Sequence, residues 1–284
     1  MKKWLLKIIL RGPITMIKIN EEPVTFDHYN DGSCRAKLSL PSYGCGEVEI
    51  TWLYENDCEL LYLLYVVNHL HTNFYYDLAL NMPYVFNGRQ DRTKKKEEIF
   101  TLKYSCELIN QMNFKRVKIY DPHSSVTPAL LDRVVVESPQ YEIQQLIQQY
   151  PNALLFFPDE GSMKRLHSLF TVPYAFGVKV RDWESQKIES LRVAGERHMI
   201  AGHDIIMCDD ILSRGSTLYE AARELKERGA NNLYVWVSHC EKTVLGPHIK
   251  GVSLLDIPNL ITKVYTTNSI FNGDHPKIEI IKRF

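Results

Sequence analysis

Apolar positions switch repeatedly between two periods from about residue 100 onward. Ile99, Leu102, Cys106 and Ile109 recur at helical spacing, and the next run, 116–120, alternates as a strand does. Ile143, Leu146 and Ile147 mark a helix over 141–150. The short apolar strand 153–157 follows and stops at Pro158. Residues 173–180 and 204–208 predict two more strands. Leu218, Ala221, Ala222 and Leu225 then share one face of a helix over 218–228, with Gly229 placed to end it. Strands over 233–238, 263–266 and 278–281 complete the series. Alternation of this kind predicts an α/β fold with mostly parallel sheets flanked by helices. In such a fold ligands gather beyond the carboxyl ends of strands.

The polar helix ending at Tyr150-Pro151 marks the domain join, giving an N-terminal domain over 1–148 and a C-terminal domain over 149–284. In the first hundred residues, Gly44-Cys45-Gly46 reads as a turn before the alternating Glu47-Val48-Glu49-Ile50. A chain of 284 residues can bury two cores, and 45% hydrophobic with 24% charged residues is a globular balance. Lys plus Arg equals Asp plus Glu at 34 each, so there is no surplus of cations for a nucleic-acid surface. A local basic pocket for a small phosphorylated ligand remains compatible with that balance.

Six cysteines at 34, 45, 58, 106, 208 and 240 show no metal or redox spacing, which predicts a reducing, cytoplasmic setting. The opening MKKWLLKIIL has the charge of a signal peptide, but Lys7 interrupts its apolar run and no small-residue cleavage site follows before Met16. Residues 1–15 are expected to be a leader upstream of Met16 or an edge segment. No stretch reaches the length of apolar residues that a membrane span needs.

The sharpest local signal lies in 204–230. An apolar strand leads into Asp209 and Asp210, and the small-residue loop Ser213-Arg214-Gly215-Ser216-Thr217 opens directly into a helix. Unpaired N–H groups and the helix dipole favour an anion there, and small residues let backbone approach a phosphate. The adjacent carboxylates suit sugar hydroxyls. A helix cap beside a solvated acidic pair is the plainer alternative.

This stretch resembles the phosphoribosyl-binding loop shared by type I phosphoribosyltransferases and phosphoribosyl diphosphate (PRPP) synthetases. Further motifs resemble the synthetases alone. Met82-Pro83-Tyr84 with Gly88-Arg89-Gln90-Asp91-Arg92 is similar to their PYARQD segment, with two extra residues within 85–88. Asp121-Pro122-His123-Ser124 resembles D-x-H-S, and Pro158-Asp159-Glu160-Gly161 with Lys164-Arg165 resembles PDxGxxKR. Lys179-Val180-Arg181, before the polar segment 182–190, looks like their K-x-R pair on a mobile catalytic loop. Gly46-Glu47-Val48 resembles D-G-E-V, with Cys45 in place of the usual Asp or Asn.

The resemblance implies two phosphoribosyltransferase-like domains, the first for ATP binding and oligomerisation and the second for the phosphoribose. It implies Mg2+-dependent transfer of diphosphate from ATP to the C1 hydroxyl of a phosphorylated ribose. Arg89, Gln90, Asp91 and His123 would bind ATP, and Glu47 would serve a nucleotide held by a neighbouring subunit of a homodimer or larger assembly. His123 and Asp159 would hold metal, Asp209 and Asp210 the ribose, and Ser213, Arg214, Gly215, Ser216 and Thr217 the phosphate. Lys179 and Arg181 would act on the transferring group. A phosphoribosyltransferase proper would leave the ATP and metal motifs unexplained, and a non-catalytic regulatory subunit would have lost some of these residues.

The chain departs from the family pattern in three further places. The segment between Ile50 and Leu61 is short, which predicts a reduced strand–helix unit. The sequence ends just past the strand 278–281, so the C-terminal helix and tail that help form an ADP site in the family are expected to be absent. The loop reads Ser213-Arg214-Gly215-Ser216-Thr217 where the family has D-T-x-G-T, losing a carboxylate and gaining a guanidinium. An added guanidinium suits a second phosphate. The acceptor is therefore expected to be ribose 5-phosphate or a larger phosphoribose such as ADP-ribose.

Overall fold

The computed structural model describes residues 17–38, 46–74, 76–181, 188–194 and 197–284. The chain divides into two units, one ending at Glu137 and the other spanning Ser138–Phe284. The first unit opens with short antiparallel pieces: β1 (Ile17–Ile19), β2 (Glu22–Pro23), β3 (Thr25–His28) and β4 (Cys34–Lys37). A βα alternation follows: β5 (Gly46–Trp52), α1 (Glu59–Asn73), β6 (Tyr76–Asn81), α2 (Thr101–Gln111), β7 (Arg116–Tyr120), α3 (Val126–Leu130) and β8 (Val134–Glu137). The sheet runs β2-β1-β5-β6-β7-β8, parallel from β5 to β8, while β3 and β4 form a separate ribbon.

Helix α1 buries Leu63, Val66, Val67 and Leu70 in a core shared with Trp52. The Trp52 indole N–H donates to Glu59 Oε2 at 3.0 Å, and the Glu55 N–H donates to the same oxygen at 2.9 Å. A fully buried carboxylate thereby fixes the entry to α1, since buried polar groups persist where their hydrogen bonds are made. Burial still pushes the Glu59 carboxyl above its ordinary range.

The second unit contains α4 (Gln140–Gln149), β9 (Leu154–Phe157), α5 (Glu160–Leu166), β10 (Tyr174–Arg181), β11 (Ile188–Ala194), α6 (Arg197–Ile200), β12 (Ile205–Leu212), α7 (Ser216–Glu227), β13 (Leu233–Cys240), β14 (Lys263–Thr267) and β15 (Ile278–Ile281). Its sheet runs β11-β10-β9-β12-β13-β14-β15, antiparallel only between β10 and β11. All eight residues of β13 are buried, as expected of a central strand covered on both faces. Alternate residues of β12 serve opposite layers: Ile205 and Met207 pack with α7, while Ile206 and Cys208 pack with α4 and the fully buried Trp236.

The mixed α/β architecture with mostly parallel sheets is the one the periodicity predicts. Three details differ. Helix α4, expected to close the first domain, packs in the second unit through Ile143 and Leu146, so the division falls at 137/138 rather than 148/149. Strand β12 continues to Leu212, so Asp209 and Asp210 lie within the strand rather than after it. Of the polar segment expected as a loop over 182–190, residues 182–187 lie outside the described residues. Ile188 onward is strand β11, paired with β10.

Candidate active site

In the first unit, the residues assigned to ATP converge. Arg89, Gln90, Asp91 and His123 line one cavity of about 510 Å3, together with Arg92, Lys94 and Glu98. Three cations against two carboxylates make its lining basic on balance. The loop after β6 carries Arg89 to Asp91, and the turn after β7 carries His123, so both sets leave carboxyl ends of adjacent parallel strands. Asp121, at φ 39°, bends the chain out of β7, and its N–H donates to the Glu137 carbonyl at 2.9 Å.

The extra residues within 85–88 have a physical account. Val85 and Phe86 are buried, and Phe86 stacks on Tyr54 with ring centroids 5.2 Å apart. Asn87, at φ 60°, donates its side-chain N–H to Ser105 Oγ at 2.9 Å. The additional length therefore packs into the core and leaves Arg89 to Asp91 on the cavity wall.

Glu47, on β5, is not among the residues lining this cavity. Its carboxylate Oε1 lies 2.5 Å from Arg116 Nη2 on β7.

In the second unit, Asp159 caps α5. Its Oδ1 accepts the Ser162 N–H at 2.9 Å, while its own N–H donates to Ser162 Oγ at 3.3 Å, a reciprocal capping box. Two turns along the same helix, Arg165 Nη2 donates to Asp210 Oδ1 at 3.1 Å and stands 4.0 Å from Asp209 Oδ1. The Asp210 N–H donates to Asp209 Oδ1 at 3.0 Å. Burial, then the Asp210 and Asp159 charges, hold the Asp209 carboxyl well above the usual carboxylate range, with Arg165 opposing them in part.

Beyond β12, the loop 213–217 leads into α7 as predicted. Gly215, at φ 83°, is the residue before the helix, and its carbonyl accepts the Tyr219 N–H at 2.8 Å. Its alpha carbon packs against Leu254, leaving no room for a side chain. Ser216 and Thr217 form the first turn of the helix. Arg214 is exposed and forms no ion pair among the described residues. Ser213 Oγ donates to Glu241 Oε2 at 2.7 Å. Lys179 and Arg181 both lie on β10, where Lys179 pairs with Leu191 and Arg181 with Ile188, with a register irregularity between Val180 and Arg181.

Sequence reasoning assigned no role to Arg165 or Glu241. The first sits inside a motif already quoted. The second follows the buried strand β13, where the strand-end rule would have found it.

Known proteins resemble this chain in sequence and fold. Residues 161–257 match the model of the phosphoribosyl transferase domain. The ribose-phosphate pyrophosphokinase of Helicobacter hepaticus is 24% identical over 271 residues, covering 93% of this chain and 85% of the relative. That of Thermococcus kodakarensis is 26% identical over 192 residues, 66% of each chain. Among solved structures, the phosphoribosylpyrophosphate synthetase from Mycobacterium smegmatis has the same fold, with a TM-score of 0.74 over 91% of this chain and 85% of that one, at 20% identity. The two-unit architecture, the ATP-side motifs and relatives that align along nearly the whole chain agree: the chain is similar in sequence along most of its length to ribose-phosphate pyrophosphokinases, and its second unit carries a phosphoribosyl transferase domain.

Proposed function

We propose that this protein transfers the β,γ-diphosphate of ATP to the C1 hydroxyl of a phosphorylated ribose and releases AMP. The observation that carries this reading is the placement of Asp209 and Asp210, braced by Arg165, directly before a glycine-seated loop at the N-terminus of α7. Carboxylates there accept hydrogen bonds from ribose hydroxyls, while loop N–H groups and the helix dipole hold the 5′-phosphate. Arg89, Gln90, Asp91 and His123 form the ATP side.

The C1 oxygen attacks the β-phosphorus and gives up its proton to solvent, the bond from that phosphorus to the α,β-bridging oxygen breaks, and AMP departs with that oxygen. Lys179 and Arg181 are assigned to stabilise the charge that builds on the transferring group. Mg2+ fits the donor chemistry. The Asp209 carboxyl stands among like charges that a hard cation would relieve. Among the described residues no group of three His, Cys, Asp or Glu side chains is ready-made for a metal. Asp159 would hold an Mg2+ ion in the second unit and His123 would hold one in the first, where the charge would screen the phosphates.

The acceptor is ribose 5-phosphate or a larger phosphoribose such as ADP-ribose. Exposed Arg214 at the loop supports the larger one, because its guanidinium is available for a second phosphate. The working form is a homodimer or larger assembly, in which Glu47 exchanges Arg116 for a nucleotide of the neighbouring subunit.

The test is incubation with ATP and Mg2+ while ribose 5-phosphate and ADP-ribose are offered in parallel. AMP release that depends on either acceptor supports the reading. No acceptor-dependent AMP would overturn it.

A further inference from the structure

The phosphate loop starts against a carboxylate. Ser213 Oγ donates to Glu241 Oε2 at 2.7 Å, Thr243 Oγ1 donates to the same oxygen at 3.0 Å, and the two hydroxyl oxygens lie 3.2 Å apart. The Glu241 N–H donates to the Leu212 carbonyl at 2.8 Å, so backbone and side chain together clasp the first residues of the loop. Strand register makes this unavoidable: Leu212 pairs with Cys240 between parallel β12 and β13, which brings the next residues, Ser213 and Glu241, side by side.

Two consequences follow for an anion. The Ser213 hydroxyl proton is directed at Glu241, leaving backbone N–H groups, the Ser216 and Thr217 hydroxyls and the Arg214 guanidinium as the loop's donors. A negative charge is also fixed at the edge of a pocket whose task is to hold negative charge. A terminal phosphate monoester carries nearly two charges above its second pKa of about 6. A phosphate substituted on a second oxygen, as in an anhydride or diester, carries one. Repulsion from a neighbouring carboxylate scales with that charge.

We propose that Glu241 is a specificity-determining residue: it anchors the loop through Ser213 and sets it against doubly charged terminal phosphates, favouring a 5′-phosphate that is itself substituted. This rests on the reading of residues 213–217 as the phosphate loop. Arg214 supplies the complementary attraction for the substituent, so the exchange of a loop carboxylate for a guanidinium and the carboxylate of Glu241 act in one direction.

The test is calorimetric binding of ribose 5-phosphate and of ADP-ribose, without ATP, to wild type, Glu241→Gln and Thr243→Val. Glutamine keeps an oxygen to accept from Ser213 and Thr243 while removing the charge. It is expected to tighten ribose 5-phosphate about tenfold at pH 8, a Coulombic effect at partly screened range. ADP-ribose should change by less than about threefold, the effect of an unremarkable substitution. The gain for ribose 5-phosphate should shrink at pH 5, where its phosphate takes up the second proton. Thr243→Val, which keeps the charge, should leave the ratio of the two affinities unchanged. Equal shifts for both ligands, no shift, or a gain that persists at pH 5 would overturn the proposal. Binding of neither ligand to wild type would overturn it too. Ligand binding without acceptor-dependent AMP release would instead break the proposed reaction and leave the affinity ratio to decide the role of Glu241.

Discussion

Gly215 and Leu254 are in direct packing contact across the base of the loop 213–217: a methyl group added at Gly215 would stand 2.6 Å from Leu254 Cδ2. The glycine also has φ 83°, a conformation that costs other residues roughly 1–2 kcal/mol. Gly215→Ala is therefore expected to raise KM for the acceptor by about tenfold or more, since roughly 1.4 kcal/mol of lost loop geometry is already a decade. KM for ATP should hardly move. Trimming the opposing side chain in a Gly215→Ala/Leu254→Ala double variant should relieve the clash and leave the backbone strain. Steady-state kinetics on both substrates, with thermal melts as a control for folding, check this. Equal damage in the single and double variants would show that packing against Leu254 is not what matters.

Arg214→Ala separates the acceptors. If its guanidinium contacts a second phosphate, kcat/KM for ADP-ribose should fall by one to two decades, the worth of a charge-assisted contact of roughly 1.5–3 kcal/mol. Ribose 5-phosphate should change much less. Equal losses, or changes within about threefold for both, would end the case for an enlarged acceptor based on this residue.

If Lys179 and Arg181 act on transition-state charge as proposed, Lys179→Ala and Arg181→Ala should each lower kcat by about 10²–10³ while leaving ATP affinity nearly intact. Single-turnover kinetics beside equilibrium ATP binding supply the comparison. Full turnover in both variants would move the chemistry elsewhere.

Asp209 predicts a pH-dependent trade between stability and activity. Unfolded, its carboxyl ionises near pH 3.9. Folded, burial and the neighbouring carboxylates hold its proton to higher pH. Above pH 3.9 the folded state thus binds more protons than the unfolded one, and this residue's contribution to stability falls as pH rises through the folded value. Asp209→Asn keeps an oxygen for the Asp210 N–H and removes the charge. Without divalent cations it should raise Tm at pH 7 by about 2–4 °C, the shift expected from ~1 kcal/mol in a domain of this size, and lose that gain near pH 3. Activity should drop. A Tm that is unchanged at pH 7 would contradict the electrostatic picture.

The parts of this molecule that sequence makes legible are those where a strand is buried on both faces or a helix shows a clean stripe. Strand β13 reads as one apolar run because both its faces are covered, and α7 reads cleanly because Leu218, Ala221, Ala222 and Leu225 alone turn inward. Helix α1 defeats the same reasoning. It is apolar nearly all round, with Leu61 and Tyr65 half-exposed while Leu63 and Val66 are buried, so no stripe stands out. The antiparallel pieces β1 to β4 are two to four residues long, too short for any period to register.

The candidate site shows the same division. Its motifs are local and readable, whereas its supports depend on geometry. Helix phase alone sends Arg165 to Asp210 while the adjacent Lys164 pairs with Glu160 at 3.2 Å on the surface. Strand register alone brings Glu241 to Ser213, 28 residues away.

Each unit has a tryptophan in its own core, Trp52 in the first and Trp236 in the second, and both are fully shielded from solvent. A buried indole changes its emission when water reaches it. With Trp4, Trp183 and one of these two replaced by phenylalanine, the remaining fluorophore therefore reports on one half of the molecule at a time. Denaturant titrations of the two single-tryptophan forms would show whether the halves melt as one cooperative block or in succession, and adding ATP or an acceptor to each would reveal which half every ligand protects.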